Sequence, residues 1–472
     1  MKKIILTLNM SIICLLLYGQ DNRLMYQDPT YDNPEKRLEI LNKRDANVSV
    51  DFVKIDLEKL DIYDQFVLQF GENEMTVKKK TLEKRSKNKI SFFGKNDDDN
   101  SSISFSVLNN DIQGTITTPK IDVYKIETIG DKDNYAIVKL DGSKLKENCD
   151  NLHDYSSRID GADGAESDDR RGVAPLPYGC RVRVLVLYTP AAQSSVSDIK
   201  NTIWEAINET NESFTNSSVN YNVEFAYSGL TDYAEVNSTV DKTRFRNTND
   251  GYMDEVHALR NAYAADICVL LTDYGDRVCG EAYDIGVPAS DAFCVVNASC
   301  ATGYYSFGHE IGHLLGCRHD PYVDTTTTPF AYGHGYVYSP GYWRTIMAYA
   351  DACSSCGRIQ YWSNPNVSYE GAAMGTAAVS NSARVWNERS TTAMTFRQPP
   401  TDITVTSGDF SSSSYADVIA KQAITTNGTV SISSGKEAYM RAASSITLQP
   451  GFSVALGAEF EARVEGIYDC GN

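Results

Sequence analysis

Three of the six histidines in the chain fall within eleven residues, as His309, His313 and His319 in the order His-Glu-x-x-His-x-x-Gly-x-x-His. On a helix, side chains four positions apart leave the same face, so His309 and His313 can reach one cation together. Glu310 then stands beside that cation with a carboxylate placed to take a proton. The helix cannot bring His319 to the same point unless it stops, and Gly316 is the residue type that ends a helix at positive φ. Three neutral imidazoles with a fourth position left to water make a catalytic zinc site, whereas structural zinc sites are closed by four protein ligands. The chemistry expected is hydrolysis, with Zn2+ as cofactor and Glu310 as general base.

A second run lies downstream, Thr345-Ile346-Met347-Ala348-Tyr349. With the histidine motif before it, it resembles the Met-turn of the metzincins, which places Met347 beneath the metal. By the same resemblance Tyr349 is similar to the tyrosine that approaches the metal in astacin-like and serralysin-like members and helps hold the oxyanion. The alternative for Tyr349 is a buried aromatic with no chemical role. Reading on, His319-Asp320-Pro321, Ala331-Tyr332-Gly333-His334-Gly335-Tyr336, Trp343 to Tyr349 and Tyr361-Trp362-Ser363-Asn364-Pro365-Asn366-Val367 resemble the peptidyl-Asp metallopeptidases. That resemblance runs from about Cys180 to Arg397 and implies an endopeptidase cutting on the amino side of aspartate. His334 resembles a family position too, but a lone histidine in a Gly-flanked loop is more often structural. A pocket selecting aspartate needs a positive charge, and arginine matches a carboxylate with two parallel hydrogen bonds. Arg344 and Arg358 flank the Met-turn and are the candidates, with solvated surface arginines as the alternative.

The elements that must position these residues belong to a long, exported chain. At 472 residues it exceeds what one core serves, so about three units are expected. Met1-Lys2-Lys3 and the apolar run Ile4 to Tyr18 read as a signal peptide, 1–20. No later segment is apolar enough to span a bilayer. The net charge of −18 argues against nucleic acid and anionic membranes as partners. The partners expected are protein or peptide substrates, and the location is secreted or extracellular. Eight cysteines (180, 268, 279, 294, 300, 317, 353 and 356) lie in the catalytic stretch, where disulfides are the default outside the cell. Cys353-Ser354-Ser355-Cys356 has a redox or zinc spacing but is read as structural.

The fold expected is multidomain. A β-rich propeptide, 21–157, shows alternating runs such as Gln65–Phe70, Ile90–Phe93 and Ile103–Leu108. Its one cysteine, Cys149, is a candidate for latency, its thiolate filling the open metal position. A disulfide to Cys470 or to the catalytic unit is the alternative, and Asp150 could itself be the ligand. An exposed activation linker, 158–178, is rich in glycine and charge. The catalytic domain, 179–397, is expected to be an α/β metzincin unit with a mixed twisted sheet and a zinc helix. Phe293–Asn297 is expected as its substrate-binding edge strand and 377–396 as its closing helix. After Pro399-Pro400, a small all-β module, 401–472, carries Leu448-Gln449-Pro450-Gly451-Phe452 and Gly457-Ala458-Glu459-Phe460. These pieces resemble a repeat at the ends of proteins exported by type IX secretion in gliding Gram-negative bacteria, which implies contact with the cell surface or the secretion machinery. A passive appendage is the plainer reading. The functional rival is a non-catalytic surface adhesin that keeps a metal site for stability, and an intact Glu310 argues against it.

Overall fold

The computed structural model describes residues 22–145 and 181–466, apart from 28–29, 32, 87, 131–133, 276–277 and 355. The expected signal peptide, Cys149, Asp150, Cys180, the 158–178 linker and Cys470 lie outside the described residues.

Nine strands form a closed barrel: β1 (Arg23–Gln27), β2 (Asn47–Ile55), β3 (Gln65–Phe70), β4 (Asn73–Ser86), β5 (Lys89–Lys95), β6 (Ser102–Leu108), β7 (Asp111–Thr117), β8 (Val123–Thr128) and β9 (Tyr135–Leu140). Their alternating apolar residues point inward, with Phe66, Phe70, Phe92, Phe105 and Ile116 in the lumen core. Helix α1 (Pro34–Lys43) starts at Asn33, whose side chain accepts from Lys36 N. Closure leaves the barrel without free edges, which a run of isolated hairpins would have exposed.

The second body is built on an eight-stranded sheet. Strand β10 (Val182–Tyr188) is buried at every position, as a strand covered on both faces should be. Parallel to it run β11 (Val223–Leu230) on one side and β12 (Ile267–Thr272) on the other, and β12 pairs in parallel with β14 (Phe293–Asn297). The connecting helices are α2 (Pro190–Ser195), α3 (Ile199–Asn216), α4 (Ser238–Arg246) and α5 (Glu255–Ala262). Asp198 caps α3 by accepting from the amides of Lys200 and Asn201 at 2.8 and 3.1 Å.

Phe293–Asn297 is not the edge strand expected from its place before the histidine helix. Its outer side is taken by β13 (Gly280–Ala282), which pairs antiparallel with it. All five residues of β14 are buried, consistent with an apolar run that has neighbours on both sides. The edge is instead three residues, Gly-Glu-Ala, with no hydrophobic pattern to announce them.

Helix α6 (Ser306–Leu315) carries His309, Glu310 and His313. Beyond it the chain makes short pairings: β15 (Val337–Tyr338) with β16 (Trp343–Arg344), β16 with β17 (Gly357–Arg358), and β18 (Asn364–Tyr369) with β19 (Ala372–Met374). Helix α7 (Ser382–Ala393) is shorter than the 377–396 expected, because Asn381 caps it and Ser380 is held in bridges to Gly333 and Thr376.

The strands after Pro399-Pro400 form a parallel stack. They are β20 (Asp402–Val405), β21 (Ser413–Ala420), β22 (Ala423–Thr426), β23 (Val430–Ile432), β24 (Glu437–Ala442), β25 (Ser445–Thr447), β26 (Phe452–Val454) and β27 (Glu459–Val464). Ala416, Ala438 and Phe460 stand side by side on β21, β24 and β27, and Val430 stands beside Phe452, a repeat of 22 residues, while β20 and β22 pair at an offset of 21. The stack is not an appendage on a tether. Strand β21 pairs antiparallel with β11 and so continues the sheet of the second body outward.

The cysteines depart from the all-disulfide expectation. Cys279 pairs with Cys300 and Cys353 with Cys356, while Cys268, Cys294 and Cys317 are reduced and buried. Cys268 and Cys294 sit on adjacent strands of the sheet core, where each serves as a small apolar side chain. No helix among the described residues is long and apolar enough to cross a membrane.

Candidate active site

Helix α6 ends where the histidine spacing requires it to. Gly316 takes φ +116°, and its amide donates to the carbonyls of Gly312 and His313 at 3.1 and 2.9 Å. The chain reverses there and returns His319 to the face that already holds His309 and His313. The three Nε2 atoms lie 3.1, 3.0 and 3.3 Å from one another, and the three residues are buried.

The other ring nitrogens explain the orientation. His309 Nδ1 donates to the Ile346 carbonyl at 3.0 Å and His313 Nδ1 to the Cys317 carbonyl at 2.9 Å. With the proton on Nδ1, each Nε2 presents a lone pair toward the common point. Burial, then the neighbouring His313 and the charge of Arg358, hold His309 well below its ordinary pKa, so it stays neutral. Three imidazole Nε2 atoms converging on one point are a donor set that fits a divalent cation.

Two glycines let the support close in. A Cβ at Gly312 would meet the Trp362 ring at 2.9 Å and Met347 Sδ at 3.1 Å, so both side chains pack directly against the helix under the histidines. A Cβ at Gly280 would lie 2.5 Å from Glu310 Oε1, which puts the edge strand β13 alongside the carboxylate of Glu310. Glu310 itself is fully buried on α6.

The Tyr349 ring packs tilted by 32° against His319, centroids 3.9 Å apart, and the Tyr349 amide donates to Asp320 Oδ2 at 2.9 Å. Asp320 thus ties the residue after the third histidine to the segment 345–349. Sequence reasoning quoted Asp320 only within the family resemblance and gave it no role. His334 donates from Nδ1 to the His319 carbonyl at 2.7 Å and is buried, so the structural reading of this histidine holds, with a specific task. Tyr304 was also missed.

Arg344 and Arg358 are not surface residues; they are 1% and 3% exposed, behind the Met-turn segment. Both guanidiniums donate to the Ala348 carbonyl, Arg358 at 3.3 Å. Both also hold Tyr304: Arg358 donates to its carbonyl at 3.0 Å with its guanidinium 4.2 Å from the ring, and Arg344 donates to its hydroxyl at 3.2 Å. The Tyr304 hydroxyl in turn donates to the carbonyls of Gly142 and Leu145, the last described residues before 146–180. The chain leaving the barrel is therefore tied to the segment that carries Met347.

Comparison with known proteins agrees with this geometry. Residues 179–363 match the family model Reprolysin_5, described as Metallo-peptidase family M12. A peptidyl-Asp metalloendopeptidase of Stenotrophomonas maltophilia strain R551-3 is 41% identical over 308 residues, covering 64% of this chain and 72% of that protein. Its counterpart in strain K279a is 42% identical over 284 residues, covering 58% and 66%. A third, from Xanthomonas campestris pv. campestris, is 40% identical over 267 residues, covering 56% and 62%. With a buried histidine cluster built for a cation and relatives matched at this level over most of their length, the chain belongs to the peptidyl-Asp metalloendopeptidase family and is a metalloendopeptidase.

Proposed function

We propose that the protein is a secreted zinc endopeptidase, made as a zymogen, that cuts on the amino side of aspartate. The observation that carries the reading is the convergence of His309, His313 and His319 at 3.0 to 3.3 Å with Glu310 on the same helix. The three imidazoles would hold the zinc, with Met347 packed against the helix that carries two of them. A zinc ion held there would supply Lewis acidity toward the water and the scissile carbonyl. Glu310 takes the proton from the attacking water and gives it to the leaving amine. The Tyr349 hydroxyl donates to the oxyanion as it develops. Strand β13 pairs with the extended substrate across the site.

Arg344 and Arg358 supply the positive charge that favours an aspartate side chain. Arg344 donates to the carbonyls of Cys356 and Ala348 and to the Tyr304 hydroxyl, and Arg358 donates to the carbonyls of Tyr304 and Ala348, which orient both guanidiniums. In a buried setting such a charge acts strongly on a carboxylate entering the cleft. Digestion of a peptide library, read by mass spectrometry, should show aspartate enriched immediately after the cut. Cleavage without that enrichment would remove the aspartate specificity and leave the metalloendopeptidase standing.

The barrel, within 21–157, is the propeptide, 158–178 the activation linker, 179–397 the catalytic domain and 401–472 the C-terminal module, after a signal peptide at 1–20. The tie from Leu145 to Tyr304 supports this reading, since Tyr304 is also held by Arg344 and Arg358. Cys149 lies four residues beyond Leu145 in sequence, a reach of up to about 14 Å. Precursor carrying Cys149→Ser is expected to hydrolyse a quenched peptide that the unaltered precursor leaves intact. Equal latency of the two would end the thiolate assignment.

A further inference from the structure

The barrel meets the catalytic body along α3, and that contact is made of carboxylates under hydroxyls. Ser104 Oγ donates to Glu205 Oε1 at 2.6 Å, and Thr115 Oγ1 donates to Glu209 Oε1. Asn201, one turn earlier, donates to Asp111 Oδ2 at 2.8 Å and accepts from Ser106 Oγ at 2.9 Å. One turn later, Glu212 accepts from Gln360 Nε2 at 3.2 Å. Glu205 and Glu209 are buried outright, and Glu205 Oε2 has no hydrogen-bond partner among the described residues. Hydroxyls and amides bond to either form of a carboxyl group, but burial without a strong cation favours only the neutral form.

We propose that the contact between the barrel and α3 is a proton-operated latch, closed when Glu205, Glu209 and Glu212 are protonated and loosened as they ionise. The geometry requires this sign. Closed, Glu205 and Glu209 are removed from water and Glu212 is half-buried at the rim; open, all three line one exposed face of α3 at i, i+4 and i+7 and repel one another. Burial, then mutual repulsion, pushes Glu205 well above the ordinary carboxylate range, burial pushes Glu209 up, and burial with its two neighbours pushes Glu212 up.

The facing groups offset this only in part. Lys125 on β8 lowers the Glu209 carboxyl, but by less than burial raises it, and Lys125 donates to the Ser299 carbonyl at 2.9 Å while burial lowers its own pKa. Glu127 and Glu209 hold Lys125 up, and Lys43 and Arg44 push it lower. Asp111, facing Asn201, is itself raised by burial, so it titrates in the same direction. Tyr305, beside Glu209 and Glu212, stays neutral. Glu209 also accepts from the Gly303 amide at 3.0 Å, which opposes the shift without supplying a countercharge. Glu212 borders a polar cleft of about 1270 Å³ between barrel, α3 and the C-terminal coils, which gives water a route to the edge of the contact.

The sign follows from linkage. Carboxyls raised in the closed state keep the latch fully closed below their open-state pKa, and closure weakens as pH climbs from there through their closed-state values. Each carboxylate that ionises on opening contributes on the order of tenfold per pH unit across that window. The regulatory meaning rests on the propeptide reading above, whereas the latch itself is tested without any reference to proteolysis.

Full-length chain carrying Glu310→Ala, which cannot process itself, is followed by amide hydrogen exchange of residues 199–216 at about pH 5 and about pH 8, corrected for intrinsic exchange. The opening equilibrium should rise at least tenfold at the higher pH. Amides of β10 and β12 should keep their protection. In Glu205→Gln/Glu209→Gln the rise should shrink severalfold, to what Glu212 and Asp111 alone contribute, because glutamine mimics the neutral acid. Equal protection at both pH values in the parent chain, or an undiminished rise in the double variant, overturns the latch. Should the double variant fail to fold, the parent chain and Glu209→Gln alone decide it. Loss of protection in β10 and β12 as well would mean global unfolding and also overturn it.

Discussion

Glu310→Ala should bind metal and fold like the parent protein while losing between ~10² and ~10⁴ of its peptidase rate, toward the upper end of that range. The histidines account for the first half. Each Nε2 is aimed by a bond at the other ring nitrogen, to Ile346 or Cys317, or by the His334 bond to the His319 backbone, and none of these involves Glu310. The second half follows from position. Glu310 sits on α6 next to His309, with only the Cα hydrogen of Gly280 between its carboxylate and the edge strand. No other acidic side chain occupies that face of the helix, so truncation removes the proton carrier without offering a substitute. Metal content measured on the purified variant, beside hydrolysis of a quenched peptide, separates the two halves. More than a tenth of the parent activity in a metal-loaded variant would defeat the role given to Glu310.

Arg441→Leu should destabilise the whole catalytic body by about 3–5 kcal/mol, although Arg441 lies well outside the family-matched residues. Its guanidinium sits in a buried square of charges. Arg441 reaches Glu224 Oε2 at 2.7 Å and Asp417 Oδ1 at 3.1 Å, and Arg183 reaches the same two acids at 2.7 and 3.0 Å. The four residues lie on β24, β11, β21 and β10, so the square stitches the C-terminal stack to the centre of the sheet. Burial would raise the Glu224 carboxyl, but Arg441 and then Arg183 outweigh it and hold the carboxyl well below its usual range. That shift contributes stability above the ordinary carboxylate pKa and loses it as acid protonates Glu224. Leucine in place of Arg441 leaves two buried carboxylates to one principal partner. Urea unfolding at neutral pH, read at both the barrel and the sheet, measures the effect. A variant as stable as the parent would show the C-terminal stack to be dispensable to the fold.

The parts of this molecule that could be read from sequence are those set by neighbours in the chain. The helix period relates His309 to His313, a glycine's freedom at positive φ relates both to His319, and no distant residue is needed for either inference. The strands Gln65–Phe70, Ile103–Leu108 and Val182–Tyr188 announced themselves by their own patterns in the same way. What was hidden depends on pairing across long separations. That β13 and not β14 forms the edge is decided by which strand finds a partner, and Gly-Glu-Ala has too few side chains to signal it. The union of β11 with β21 joins residues nearly two hundred positions apart, and two polar-looking strands gave no hint of it. Likewise Cys268, Cys294 and Cys317 look in sequence like any other cysteine in an exported chain; only their burial in the packed core marks them as apolar side chains.

The 22-residue spacing of the C-terminal strands makes length in that region come in whole units. An insertion of one whole coil would set each new strand beside its predecessor with the same residues facing in, as the offsets of 21 to 22 residues between stacked strands already do. Strands β25, β26 and β27 form the outermost layer among the described residues, so coils added there leave β11 and the histidine helix untouched. Each coil advances the stack by about 4.8 Å. The distance from the cleavage site to whatever meets the far end of the protein is thus a countable quantity, adjustable by duplication of a short stretch of gene without redesign of the enzyme.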